Sequence, residues 1–341
     1  EMCIRDRSVC GQLLALFFLI LTSPASAHES QPGALEIKQI AADRYDVTWR
    51  APIYYGKPHP ARLQLPEDWQ NIAQPIERRM ANSIVFQRVI KTGKKSIEGD
   101  IVTFPGLEST ITDVFVRLIR LDGTIMTAVV RPTKPSVELR GERSWSATAG
   151  EYIGLGFYHI LLGVDHLLFV LGLLLIVEGR MMLIRTITAF TVAHSITLAI
   201  ATLGFASVPL PPLNAAVALS ILFLGPEIVR SWRGESSLTI RYPWVVSFVF
   251  GLLHGFGFAS GLSTTGMPKA ELPWALLSFN IGVELGQLAF VFIALALAWS
   301  FRALEIRWSR WALAMPGYTV GSLGAYWTIQ RTVILIGGLL K

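Results

Sequence analysis

The sequence predicts a membrane all-α bundle of about six transmembrane helices preceded by a small extracytoplasmic β-sandwich domain. Three observations predict it. Apolar residues make up 52% of the 341-residue chain and concentrate after about residue 150, in runs near the roughly 20 residues that a bilayer core requires. Residues 29 to 145 show instead short alternating runs, RYDVTWRA, SIVFQRVI, DIVTF, TDVFVRLIRL and TAVVRP, separated by Gly, Pro and Asp. Finally, Lys and Arg in the second half fall almost entirely in alternate loops between apolar runs, as membrane topology demands.

From the N-terminus, Arg5 and Arg7 precede LLALFFLILT and the small-residue site Ala25-Ser26-Ala27, which predicts a secretory signal peptide over residues 1–27. Cleavage there would expose His28, whose α-amine and imidazole would form a chelating pair. Both cysteines, Cys3 and Cys10, fall in this leader, so thiolate metal sites and disulfides are not expected in the mature chain. The β-rich domain is expected over 28–145, and RGERSWSATAG at 140–150 marks its boundary. Its fold by itself says nothing about chemistry. Facing outwards, it would meet an extracytoplasmic protein or a metal donor. His59, in YYGKPHPAR, reads as a surface residue.

The membrane domain is expected over 150–341, with spans at about 153–177, 186–204, 212–229, 243–263, 273–299 and 315–338. The loops expected inside contain Arg180 and Arg185, then Arg230, Arg233 and Arg241, then Arg302, Arg307 and Arg310, whereas the outer loops contain only Lys269. The positive-inside rule then places the chain in a bacterial inner (cytoplasmic) membrane with its N-terminal domain periplasmic. The formal charge of +6 is thereby explained by lipid topology, and nucleic acid is not an expected partner. Arg331, late in the sixth span, is expected to snorkel towards the outer interface. No G-x-x-x-x-G-K-S/T loop occurs, so any transport would be facilitated or coupled to an ion gradient.

Four of the six histidines lie in the predicted spans: His159 and His166 in the first, His194 in the second and His254 in the fourth. Asp165, Glu227 and Glu284 join them. A charged Asp at a helix centre costs about 2.5 to 3.5 kcal/mol, so such groups face the bundle interior and pair or bind something. His159 and His166 are seven positions apart, about 20° from eclipsed on a continuous helix, so both face one neighbour. Asp165 would point about 120° from His159 and orient a histidine of an adjacent helix. Asn280, Glu284 and Gln287 follow i, i+4, i+7 and form a polar stripe. Simpler roles exist for each: a lone histidine can hydrogen-bond between helices, Glu227 can pair with Arg230, the stripe can glue helices, and the glycines around His254 can serve packing. Together they predict one polar centre. Imidazole and carboxylate ligands suit Ni(II), Zn(II), Co(II) or Fe(II).

HILLGVDH carries an H-x5-D-H pattern, and with AFTVAHSITLA, GLLHGFGFA and FNIGVELGQL it resembles the HupE/UreJ family over about 150–338. A leader followed by a β-rich domain is similar to that family's longer branch. The resemblance implies a permease for nickel or a related divalent metal (Ni2+, or Co2+, Zn2+ or Fe2+, as transported ion), with no tightly bound cofactor. It marks His159, Asp165, His166, His194, His254 and Glu284 as metal residues, with His28, Glu227, Asn280 and Gln287 as further candidates. One departure is that HGFGFASGL lacks the second histidine of the shorter nickel permeases' F-H-G-x-A-x-H-G-x-E pattern. The same residues also suit two other readings. A zinc-dependent intramembrane hydrolase would use Asp165, Glu284 or Ser195 to assist a metal-activated water. A membrane assembly or scaffold protein would use the outer domain alone.

Overall fold

A computed structural model of the chain describes residues 32–54, 57–80, 83–94, 96–110, 112–140, 145–263, 272–303 and 310–339. The expected signal peptide and His28 lie outside the described residues.

The N-terminal region forms ten strands among the described residues: β1 (Gly33–Ala41), β2 (Arg44–Tyr54), β3 (Lys57–Pro58), β4 (Trp69–Asn71), β5 (Ile76–Arg79), β6 (Ser83–Thr92), β7 (Ile101–Thr103), β8 (Val114–Ile119), β9 (Ile125–Val130) and β10 (Ser136–Glu138). The main sheet runs β4-β6-β2-β1-β8-β9, with β3 on β2 and β5 on β6. Among the described residues only β1 and β8 pair in parallel, so a long connection must return the chain between them. Period-two patterning selects the buried face: Leu35 and Ile37, Tyr45, Val47 and Trp49, Val114, Val116 and Leu118, and Met126, Ala128 and Val130 share one core. Opposite them lies only the two-stranded ribbon β7-β10, contributing Val102 and Val137, with Phe104 and Leu139 beside it. The second layer is thus a ribbon with loops, because DIVTF and its partner each pair over three residues only. His59 is buried, not superficial: 7% of its surface is exposed, and Nδ1 accepts the Ala61 backbone N–H at 3.1 Å.

The C-terminal part is helical: α1 (Trp145–Leu162), α2 (Val164–Ile176), α3 (Arg180–Thr202), α4 (Leu210–Trp232), α5 (Leu238–Arg241), α6 (Pro243–Ser263), α7 (Leu272–Ala303) and α8 (Arg310–Leu339). Among the described residues, α3, α4 and α7 are long and apolar enough to cross a membrane, and α1 with α2 makes a fourth span if the bent pair counts as one. The sequence led us to expect six. Helix α6 offers only a shorter apolar stretch, Pro243–Ala259. Helix α8 carries Arg310, Arg331, Pro316 and several Gly, Ser and Thr residues among its apolar ones.

Three close helix pairs frame the bundle, α1 with α7, α3 with α6 and α4 with α8. Glycine makes each approach close. A Cβ on Gly282 would collide with the Ile153 carbonyl, one on Gly255 with the His194 carbonyl, and one on Gly324 would lie 2.5 Å from Leu222 N. Short α2 lies among these pairs, burying Leu168, Phe169, Val170, Leu171, Leu173 and Ile176. The β region meets α1 directly. Phe115 packs with Tyr152 and Leu155, while Arg131 donates to the Glu151 carbonyl at 3.1 Å and lies over the Tyr158 ring at 5.1 Å.

Candidate metal centre

The run HILLGVDH does not form one helix. Gly163 adopts φ −79°, ψ 91°, ending α1 and starting α2, and the two axes are bent by 72°. No proline signals the break. A Cβ on Gly163 would lie 2.8 Å from the His159 carbonyl oxygen and 2.9 Å from His166 Nδ1, so the tight turn requires glycine. His159 therefore sits in the last turn of α1, where helix dipoles favour a cation, and Asp165 and His166 sit in the first turn of α2.

The contact made by Asp165 differs from the role expected of it. Within the first turn of α2, Asp165 Oδ1 lies 3.0 Å from Nδ1 of His166 and accepts the His166 backbone N–H at 2.9 Å. It orients its own neighbour, not a histidine of another helix. A carboxylate on Nδ1 fixes that nitrogen as donor and directs the Nε2 lone pair outward, the usual arrangement behind a metal-binding imidazole.

Four imidazoles converge around α2. His159 and His166 have ring centroids 4.9 Å apart, as do His166 and His254; His194 lies 6.3 Å from His159 and 6.4 Å from His166. One nitrogen from each of His159, His166 and His194 lies within 4.8 Å of the others. Ligands about 2.0 to 2.1 Å from a tetrahedral ion stand about 3.4 Å apart, so modest ring movements would close this set on a cation. Each of the other three rings has one nitrogen engaged: Nδ1 of His166 by Asp165, Nδ1 of His194 by Asn280 at 3.3 Å, and Nε2 of His254 by Ser220 at 3.1 Å. The remaining nitrogens, and both of His159, are buried without a hydrogen-bond partner. Each such orphan costs about 1 to 3 kcal/mol, so five in one place call for a ligand. Phe169, Phe190, Phe258 and Phe279 pack against the rings, with Phe258 and Phe279 stacked at 4.7 Å.

The polar stripe of α7 meets α3. Thr188 donates to Glu284 Oε1 at 2.7 Å, Thr191 donates to Gln287 Oε1 at 2.9 Å, and Asn280 holds His194. Glu284 is outside the three-imidazole group, yet its Oε2 is buried and unpartnered. The sequence reading does not single out Thr188 and Thr191, although T-x-x-T-x-x-H puts Thr191 one turn before His194; nor does it single out Ser220 and the phenylalanine wall. Glu227 is buried with Arg230 at 2.6 Å and Ser237 also donating to it, so both its oxygens are engaged away from the imidazole group. Ser195 donates to the Thr191 carbonyl at 2.6 Å. Arg331 is buried and donates to the Asn214 carbonyl near the start of α4 at 2.9 Å, where α8 packs against α4.

Chemically, the centre offers neutral nitrogen ligands, an orienting carboxylate and a nearby second carboxylate in an apolar enclosure. The family model described as HupE / UreJ protein matches residues 136–331, which contain the whole of this centre. Nothing among curated proteins or solved structures matches the chain.

Proposed function

The chain belongs to the HupE/UreJ family, which marks it as a transport-related membrane protein, and from that premise we propose that it is a permease for a divalent transition metal, nickel foremost. Its cargo would be held by His159, His166 and His194, with His254, Asp165 and Glu284 in support. The observation that supports this reading is the set of five buried imidazole nitrogens lacking partners. A permease has reason to keep such orphans: their cost is relieved only while an ion is bound. In this reading α6 and α8 also span the bilayer, the β domain stands on the outer face, and the broken α1-α2 pair brings polar backbone to mid-membrane, a recurring feature of transporters. Imidazole binds metal only when neutral, so protonation from the destination side would discharge the ion.

Reconstituted protein should accumulate Ni2+ in proteoliposomes, and His166→Ala should abolish that uptake. Equal uptake by the two proteins would sink the proposal. The three-imidazole set also suits a hydrolytic zinc centre. That reading requires stoichiometric zinc surviving dialysis, whereas a cargo site must release its ion.

A further inference from the structure

Between the β domain and the helices lies a cavity of about 20 Å³, room for roughly one water. Pro32 and Asp113, which lead into β1 and β8, form its β-domain wall; Leu155, Tyr158, His159 and Leu162 of α1 and Phe258 of α6 form the rest. His159 therefore belongs both to this wall and to the three-imidazole group. Asp113 is fixed in place because its backbone carbonyl accepts the Gly33 N–H at 2.9 Å. Arg131 is the basic group whose field reaches its carboxylate, but that guanidinium is directed elsewhere, to the Glu151 carbonyl and the Tyr158 ring. The cavity wall thus combines the Asp113 carboxylate with the side of His159, whose two nitrogens are buried and lack hydrogen-bond partners.

We infer that Asp113 is a loading residue: it draws a divalent cation into the inter-domain cavity and hands it to His159, which passes it to the other imidazoles. The inference rests on the permease reading and gives the β domain a direct part in it. A carboxylate at an apolar mouth concentrates cations and raises their rate of capture, with an effect that salt weakens.

Initial Ni2+ uptake by the full-length chain in proteoliposomes, measured across Ni2+ concentration and ionic strength, tests it. Asp113→Asn removes charge at constant shape and should lower subsaturating uptake about tenfold, leave the maximal rate unchanged and flatten the salt dependence. Asp113→Glu should restore most of the loss. His166→Ala, run alongside, separates the two ideas. Normal uptake by that variant would remove the permease reading itself. Uptake abolished by His166→Ala but unchanged in Asp113→Asn overturns the loading role alone, as does a loss of maximal rate that Asp113→Glu fails to rescue. Should Asp113→Asn not fold, the wild type decides: its subsaturating uptake must fall with ionic strength while its maximal rate holds, and a flat response overturns the inference.

Discussion

The rings of His159 and His166 meet at 4.9 Å across a helix break, not along one helix face. The glycine between them permits this approach. Gly163→Ala would push a methyl against the His159 carbonyl and the His166 ring, forcing the turn open. We expect Ni2+ affinity in detergent to fall about 10- to 100-fold, comparable with loss of an orienting residue. Gly257→Ala provides the control, since a Cβ there meets nothing within 4 Å, and it should bind as the wild type. Matching affinities for all three proteins would refute the requirement for the break.

How much of this centre was legible beforehand follows from that glycine. Histidines in apolar runs are conspicuous because burial of ionisable groups is costly, so His159, His166, His194 and His254 stand out in the sequence. The break does not, because glycine is common within membrane helices and its effect depends on the surrounding packing. The Asp165 contact to its own neighbour is equally silent, because periodicity says which face a side chain takes and not which rotamer it adopts. Thr188 and Thr191 escape notice for another reason: threonine in a helix ordinarily satisfies itself on the preceding turn, as Thr186 does on the Met182 carbonyl and Thr191 on the Ile187 carbonyl at 3.4 Å, and their contacts to Glu284 and Gln287 depend on how α7 packs. In the β region the alternating runs gave the main sheet, but three-residue strands such as β7 and β10 are too short for a period to be read.

Asp165→Asn retains size and an amide oxygen while removing the charge that sets the His166 tautomer. Metal affinity should fall about 10- to 100-fold, with the helix content of the protein unchanged. Equilibrium dialysis against Ni2+ and circular dichroism check both parts. An unaltered affinity would show that Asp165 does not tune its neighbour.

Glu284 separates binding from movement. It is held by Thr188, outside the three-imidazole group, and carries one buried unpartnered oxygen. Glu284→Gln should leave Ni2+ binding within about threefold yet reduce proteoliposome uptake by roughly tenfold or more, the pattern of a group used after capture. A parallel loss of binding and uptake would instead make it part of the capture site.

The β domain carries its own pH dependence. Burial lowers the His59 pKa from 6.5 to about 4, and Nδ1 accepts from Ala61, so the folded domain holds a neutral ring. The sign follows from that depression: the stabilisation is fully present above pH 6.5 and is lost as pH falls through about 4, by about 3 kcal/mol. Asp113 acts oppositely. Burial raises its pKa from 3.8 to about 6, partly offset by Arg131, so its contribution is present below pH 3.8 and lost as pH rises through about 6. The two partly cancel in the wild type, which would hide either one in a single pH profile. His59→Asn keeps an acceptor for the Ala61 N–H and leaves Asp113 untouched, so the difference between the two proteins isolates the histidine. Urea unfolding of the full-length protein in detergent, followed by exchange of β-strand amides from pH 7.5 to 4, should show the variant losing less stability on acidification than the wild type. Parallel profiles would mean that His59 gains its proton without cost to the fold.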